Sequence, residues 1–201
     1  MNNTLRDTNY VTLIGRVTDT ISEPFTTLDG KSYINIRMVV KRLSGIEDYM
    51  TLTMPADQAT YLPYNDKLFV KGDYRTYNID GHLEQRVFVK EWGTVDPVNE
   101  DVNQFLFTGT IVSIKPLRES PMGKIITDIT VAVNNGKRSA YIPCVVWGTL
   151  ARYITDSPIG TKVSCTGRLQ SRLYEKVIDN ISHTRMAYEV SILDLEVVGD
   201  E

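Results

Sequence analysis

A chain of 201 residues with 42% hydrophobic and 23% charged side chains is long enough for one or two domains, each with a core of its own. Its net charge of −3 excludes attraction to a polyanion by bulk charge, so any such contact must rest on a locally arranged face. Two cysteines, Cys144 and Cys165, and two histidines, His82 and His183, form no CxxC pair or zinc cluster and leave little for a nucleophilic triad.

In chain order, Tyr10-Val-Thr-Leu-Ile-Gly15 opens as a strand, and a turn at Gly30 leads to a second strand, Tyr33 to Arg42. A loop from Leu43 to Asp48 precedes the third strand, Tyr49 to Pro55, and Ala56 to Leu62 reads as a short helix. Lys67 starts a fourth strand, the turn Asn78-Ile-Asp-Gly81 makes a hairpin, and Leu83 to Val89 is the fifth. Tyr10, Ile14, Val17, Ile36, Val39, Val70, Val87 and Val89 are the expected core. The polar stretch Asp96 to Asp101, with Pro97 inside it, is the boundary.

The same order then repeats. Phe105 to Gly109 matches the first strand, Gly123 the turn, Ile125 to Val133 the second strand and Asn134 to Arg138 the loop. Tyr141 to Trp147 matches the third strand, Leu150 to Ile154 the helix, Lys162 to Tyr174 the fourth strand, Asp179-Asn180 the turn and Met186 to Ile192 the fifth strand. Corresponding positions lie 92 to 95 residues apart, a period too long for a solenoid and right for two copies of one domain. Five strands with one helical insertion after the third are the layout of an OB-fold. The expected architecture is therefore all-β: two tandem five-stranded OB-fold Greek-key barrels, each with a short helix after strand 3, over 1–97 and 102–201. Gly15, Gly72, Gly109 and Gly167 fall inside strands, where glycine marks a bulge or sharp bend.

Two strands of the second copy carry a distinctive face. Along Lys162 to Tyr174 the apolar or small set Val163, Cys165, Gly167, Leu169 and Leu173 alternates with Lys162, Ser164, Thr166, Arg168, Gln170, Arg172 and Tyr174. Cations with an aromatic in one line can follow a phosphate chain and stack a base. Tyr141 and Trp147 share one side of their strand, opposite Ile142, Cys144 and Val146. A tryptophan outside a barrel core exposes a large apolar surface unless a ligand or partner covers it. Around the first hairpin, Lys115, Arg118 and Lys124 are further cations, in a position to close over a strand or simply to be solvated. In the first copy Tyr49, Phe69, Lys71, Arg75 and Tyr77 take the corresponding face, but Asp73 stands where the second copy has Arg168, and Pro55 where it has Trp147. That copy reads equally as a weaker binding site or as a protein-contact domain. Trp92 is expected at the junction between the domains.

Phe107-Thr-Gly109-Thr-Ile111, Tyr141-x3-Val-Val-Trp147-Gly148-x2-Ala151 and Gly167-Arg-Leu-Gln-Ser-Arg-Leu-Tyr174 resemble the bacterial single-stranded DNA-binding protein family. The resemblance implies base stacking at Tyr141, Trp147 and Tyr174. Pro116 to Gly123 is also similar to the first hairpin of the primosomal protein PriB. Family members with one OB domain per chain assemble as tetramers, so two domains per chain imply a homodimer that supplies four. The acidic tip closed by phenylalanine, on which partner enzymes of the family dock, is not matched by Glu196 to Glu201.

The function expected is sequence-nonspecific single-stranded DNA binding in replication, recombination or repair; stacking platforms accept RNA as well. The alternative is a PriB-like adaptor that binds replication or recombination proteins in replication restart or in a mobile element. No phosphate-binding glycine loop or catalytic cluster is present, so neither enzyme activity nor a cofactor is expected. No apolar run approaches bilayer length and the first residues lack a signal-peptide core, which predicts a cytoplasmic protein without membrane contact.

Overall fold

Apolar and polar residues alternate along β1 (Thr8–Thr20), and the pleat turns that alternation into two faces. Val11, Leu13 and Val17 point into the core, whereas Tyr10 is 61% exposed. The expectation of Tyr10 as core is therefore corrected: it has the opposite parity to Val11 and Val17, as does the half-buried Ile14. The computed structural model describes residues 6–27, 30–79, 82–134, 136, 138–178 and 181–199. Within the expected hairpin turns, Asp80, Gly81, Asp179 and Asn180 lie outside the described residues.

After β1 come β2 (Phe25–Thr26), β3 (Ser32–Lys41), β4 (Glu47–Pro55), α1 (Ala56–Ala59), β5 (Lys67–Ile79) and β6 (His82–Thr94). The second half gives β7 (Val102–Ile114), β8 (Arg118–Glu119), β9 (Ile125–Asn134), β10 (Ser139–Trp147), α2 (Gly148–Thr155), β11 (Lys162–Ile178) and β12 (Ile181–Val197). The protein is mainly β. In the first half β1 pairs with β3, β3 with β4, β4 with β6 through a short parallel contact, β6 with β5, and β5 with β1, so the pairings close a ring. β7, β9, β10, β12 and β11 close a second ring in the same order. Of the two helices among the described residues, one follows β4 and the other β10. No described helix is long and apolar enough to cross a membrane.

Glycine is required where strands of a ring approach closely. A Cβ on Gly109 would come within 2.6 Å of the Ala132 carbonyl oxygen. At Gly167 it would meet the Ser191 carbonyl oxygen at 2.9 Å, beside a break in register between Thr166 and Gly167. Cys144 and Cys165 are buried in the second ring, and burial pushes the Cys165 thiol up to about 12 and the Cys144 thiol well above its usual value.

The two rings are joined edge to edge. β1 and β7 run antiparallel with Val11 opposite Phe105, and these two residues are each other's repeat counterparts. That self-pairing places a local two-fold axis at their contact and makes β6-β5-β1-β7-β11-β12 one continuous sheet. Counterpart asparagines secure the neighbouring strands. Asn9 accepts from the Tyr74 backbone N–H at 2.7 Å and donates to its carbonyl at 2.8 Å. Asn103 does the same with Leu169, at 2.8 and 2.7 Å. The connecting segment is also held: Asp101 accepts from the Lys41 backbone N–H at 2.7 Å and pairs with Lys67 at 2.7 Å.

Beyond the rings, each long hairpin meets the opposite repeat. Ser171 on β11 accepts the Tyr49 N–H at 2.8 Å, and its own N–H donates to Asp48 at 2.9 Å. Reciprocally, Thr76 on β5 accepts the Tyr141 N–H at 2.9 Å. Asp48 is 0% exposed and takes a two-pronged bond from Arg42, at 2.6 and 2.7 Å, which holds that guanidinium charged. Trp92, expected at the junction, is instead packed inside the first half, where its indole N–H donates to Gln58 on α1 at 3.2 Å.

Candidate nucleic-acid interface

β10 presents Tyr141 and Trp147 outward because Ile142, Cys144 and Val146, of opposite parity, fill the core. Tyr141 is 53% exposed. The half-buried Trp147 lies across the sheet, its indole N–H donating to Ser191 on β12 at 3.0 Å. That bond fixes the ring over the strand opposite Arg168, the register partner of Ser191. Farther along β11, the Arg172 guanidinium stands 6.0 Å from the ring of the exposed Tyr174 and 3.7 Å from Glu189. Tyr141, Trp147, Arg172 and Tyr174 thus form the aromatic and basic part of the second ring's outer face.

Other expected residues are placed differently. Arg168 is half-buried, and with the Gln170 amide assigned so that its oxygen faces the guanidinium, that oxygen accepts at 2.6 and 2.9 Å; burial, then the neighbouring Arg42, lowers the pKa of Arg168. Arg42 and Asp48 of the first repeat are the charges nearest to bear on it. Lys162 lies before the bulge, where β11 still pairs with β7, and its ammonium is bonded to Asp7. The pairing of β11 with β7 ends at Gly167, and that end divides the cations expected in one line from Lys162 to Tyr174. Arg118 is held by Asp128 at 2.9 and 3.0 Å, while Lys124 is exposed on its turn.

In the first repeat the pairing of β5 with β1 ends at Gly72 and makes the same division. Phe69 and Lys71 lie where β5 pairs with β1, on the continuous sheet. The Phe69 ring covers Gly93, at 2.6 Å from where a Cβ would stand, and Lys71 reaches Glu91 at 3.4 Å. Tyr49 is half-buried against the second repeat's hairpin. Arg75 and Tyr77 stay on the outer face of the hairpin.

The reading of the sequence missed Phe88, Arg86 and Tyr33. The Arg75 guanidinium lies 3.7 Å from the Phe88 ring centre, Arg86 lies 5.8 Å from that of Tyr77, and Tyr33 is 5.0 Å from Phe88. A signal was available: Phe88 falls between the inward-pointing Val87 and Val89, so period two puts its ring outside.

The site thus belongs to a mainly β protein whose two similar rings present aromatic and basic side chains on extended strands. The model of the single-strand binding protein family matches residues 102–198 of the chain. Wild-type single-stranded DNA binding protein from Thermus aquaticus shares 22% identity and a TM-score of 0.74, over 96% of this chain and 94% of its own. A deletion mutant of that protein, which also carries an arginine-to-alanine substitution, gives 22% and 0.75, over 98% and 97%. Both likenesses show a shared fold along nearly the whole chain. The dimeric N-terminal domain of PriB from Thermoanaerobacter tencongensis is 28% identical over 44% of this chain and 97% of its own, with a TM-score of 0.37, too low to carry a structural argument. No curated protein matches the chain.

Proposed function

We propose that this protein binds single-stranded DNA without sequence preference, through two tandem OB-fold barrels, residues 1–97 and 102–201. The observation that carries the reading is the outer face of Tyr141, Trp147, Arg172 and Tyr174, set within the segment that matches the family. Binding is noncovalent and needs no cofactor: bases stack on the exposed rings, and Arg172 with Lys124 meets phosphates. Unstacked bases are accessible only in single strands, so a duplex offers this face its backbone alone. Such a protein acts in replication, recombination or repair, in the cytoplasm.

The test is titration of the full chain with labelled oligonucleotides at several salt concentrations. Each phosphate neutralised on a single strand adds about 0.7 to the slope of log affinity against log salt, so affinity falls as salt rises. Binding that is insensitive to salt would contradict the assigned role of the cations.

The reading includes a homodimer. Tyr10 and the 40% exposed Leu106 pair directly across β1 and β7 and form a short apolar strip on the outer face of the continuous sheet, with Thr12 and Gln104 between it and Ile14. A second copy related by a two-fold would cover this strip with its own. Light scattering should give twice the chain mass, and Leu106→Lys with Tyr10→Lys should reduce it to one; a wild-type monomer refutes the dimer.

A further inference from the structure

Tyr141 and Trp147 share a face, but the strand that carries them is supported differently at its two ends. The described pairing of β10 with β12 covers Cys144 opposite Val190 and Val145 opposite Ser191, and it stops short of Tyr141. Toward Trp147 the two strands are tied further by the bond from the indole to Ser191. Toward Tyr141 the partners come from the first repeat. Thr76 accepts the Tyr141 N–H at 2.9 Å, and the Gln85 amide donates to the Tyr188 carbonyl at 2.9 Å. Thr76 and Gln85 stand directly opposite each other on the β5–β6 hairpin, so one rung of the first repeat bridges two strands of the second.

Hydrogen-bond chemistry fixes the direction of this relay. A carbonyl only accepts, so the Gln85 nitrogen faces Tyr188 and its oxygen is left to accept from the Tyr74 hydroxyl, at 2.7 Å. Burial, then nearby Cys144 and Tyr188, raises the pKa of Tyr74, which keeps that hydroxyl a donor. The Tyr74 backbone is held by Asn9, and its ring packs 5.3 Å from Phe105 of the second repeat. Gln85 itself is only 6% exposed, so water has little access to the relay. The carbonyl it holds lies three residues before Ser191, which fixes Trp147, and next to Glu189, which stands 3.7 Å from Arg172.

We infer that Thr76 and Gln85 are positioning residues for the second repeat's face: by holding β10 and β12 at a set spacing, they place the Tyr141 ring relative to Trp147 and Arg172. Neither touches the bound strand. The inference rests on the single-strand binding reading and adds to it that the face of one repeat is completed by the other. A stacking face set before binding spends less on ordering when the strand arrives. Loosening the rung therefore lowers affinity without removing any contact to the strand.

The test uses the full chain and an oligothymidylate carrying 5-iodouracil, with affinity read by anisotropy and photo-crosslinked tyrosines by peptide mapping. Thr76→Val keeps the shape of the side chain and removes the acceptor. It should raise Kd about threefold, within what one hydrogen bond can transmit, and lower crosslinking at Tyr141 relative to Tyr174. Thr76→Ser, which retains the hydroxyl, should bind and crosslink like wild type. Gln85→Met should act in the direction of Thr76→Val, and the half-buried Thr76 carries the test if loss of the buried amide unfolds the chain. Wild-type affinity with an unchanged ratio of the two crosslinks in Thr76→Val overturns the inference while single-strand binding stands. Weaker binding at an unchanged ratio, or an equal loss in Thr76→Ser, marks a general loss of stability and overturns it as well. If the wild-type chain binds no single strand, or crosslinks at neither tyrosine, the face itself is misassigned and both readings fall together.

Discussion

Trp147→Ala should weaken single-strand binding by about 1–3 kcal/mol, a rise in Kd of roughly 5- to 150-fold, because it removes a base-stacking platform. The indole is held in place by its bond to Ser191, itself only 3% exposed, so the free protein already presents the ring and binding spends little on ordering it. Trp147→Phe separates the ring from the bond: it keeps a stacking face and should lose much less than alanine does. Anisotropy titrations of the three proteins against one labelled oligonucleotide decide the matter. Equal affinity for all three would show that no base rests on this residue.

The second large effect is on stability. Asp48→Ala leaves the Arg42 guanidinium and the Ser171 N–H without the carboxylate that each now contacts. Removing one partner of a buried pair costs about 3–5 kcal/mol. Arg42 keeps 19% side-chain exposure, and water can partly replace its partner, so a loss of about 3 kcal/mol is expected. For a chain of this size that corresponds to roughly 6–12 °C in Tm. Much of the cost arises from the stranded cation, so Arg42→Met added to Asp48→Ala should recover part of it. Thermal unfolding of the two single variants and the double variant checks both points; strictly additive losses would show that the pair is not coupled. Because Ser171 belongs to the second repeat's hairpin and Asp48 to the first repeat, amide exchange at Ser171 should accelerate in Asp48→Ala.

Much of this architecture was legible because the repeat was legible. Tyr49 against Tyr141 and Lys67 against Lys162 align two copies, and strand periodicity inside each copy does the rest. Where the reading failed, it failed at particular physical features. Tyr10 was grouped with Val17 although their parities differ, and the pleat sends it outward. The pairing of β5 with β1 ends at Gly72 and that of β11 with β7 at Gly167, which leaves Lys71 and Lys162 on the continuous sheet and Arg75 and Arg172 beyond it. Arg168 lies beyond Gly167, yet it turns to Gln170 on its own strand and stands near Arg42 and Asp48 of the first repeat, a neighbourhood that no strand pattern encodes. The β1–β7 pairing is similarly invisible to local periodicity, although Asn9 and Asn103, polar residues of inward parity at matching positions, hinted at a shared role. Phe88 was within reach of the sequence: it alternates with two core valines.

The central claim is that these faces take up unpaired strands by stacking their bases. Its most direct measurement is the binding of the full wild-type chain to one fluorescent oligonucleotide, first as a single strand and then annealed to its complement, under identical salt. The account predicts firm binding of the single strand, with quenching of tryptophan emission as Trp147 meets a base, and much weaker binding of the duplex. Equal affinity for the two forms, or single-strand binding that leaves the tryptophan emission unchanged, would contradict it.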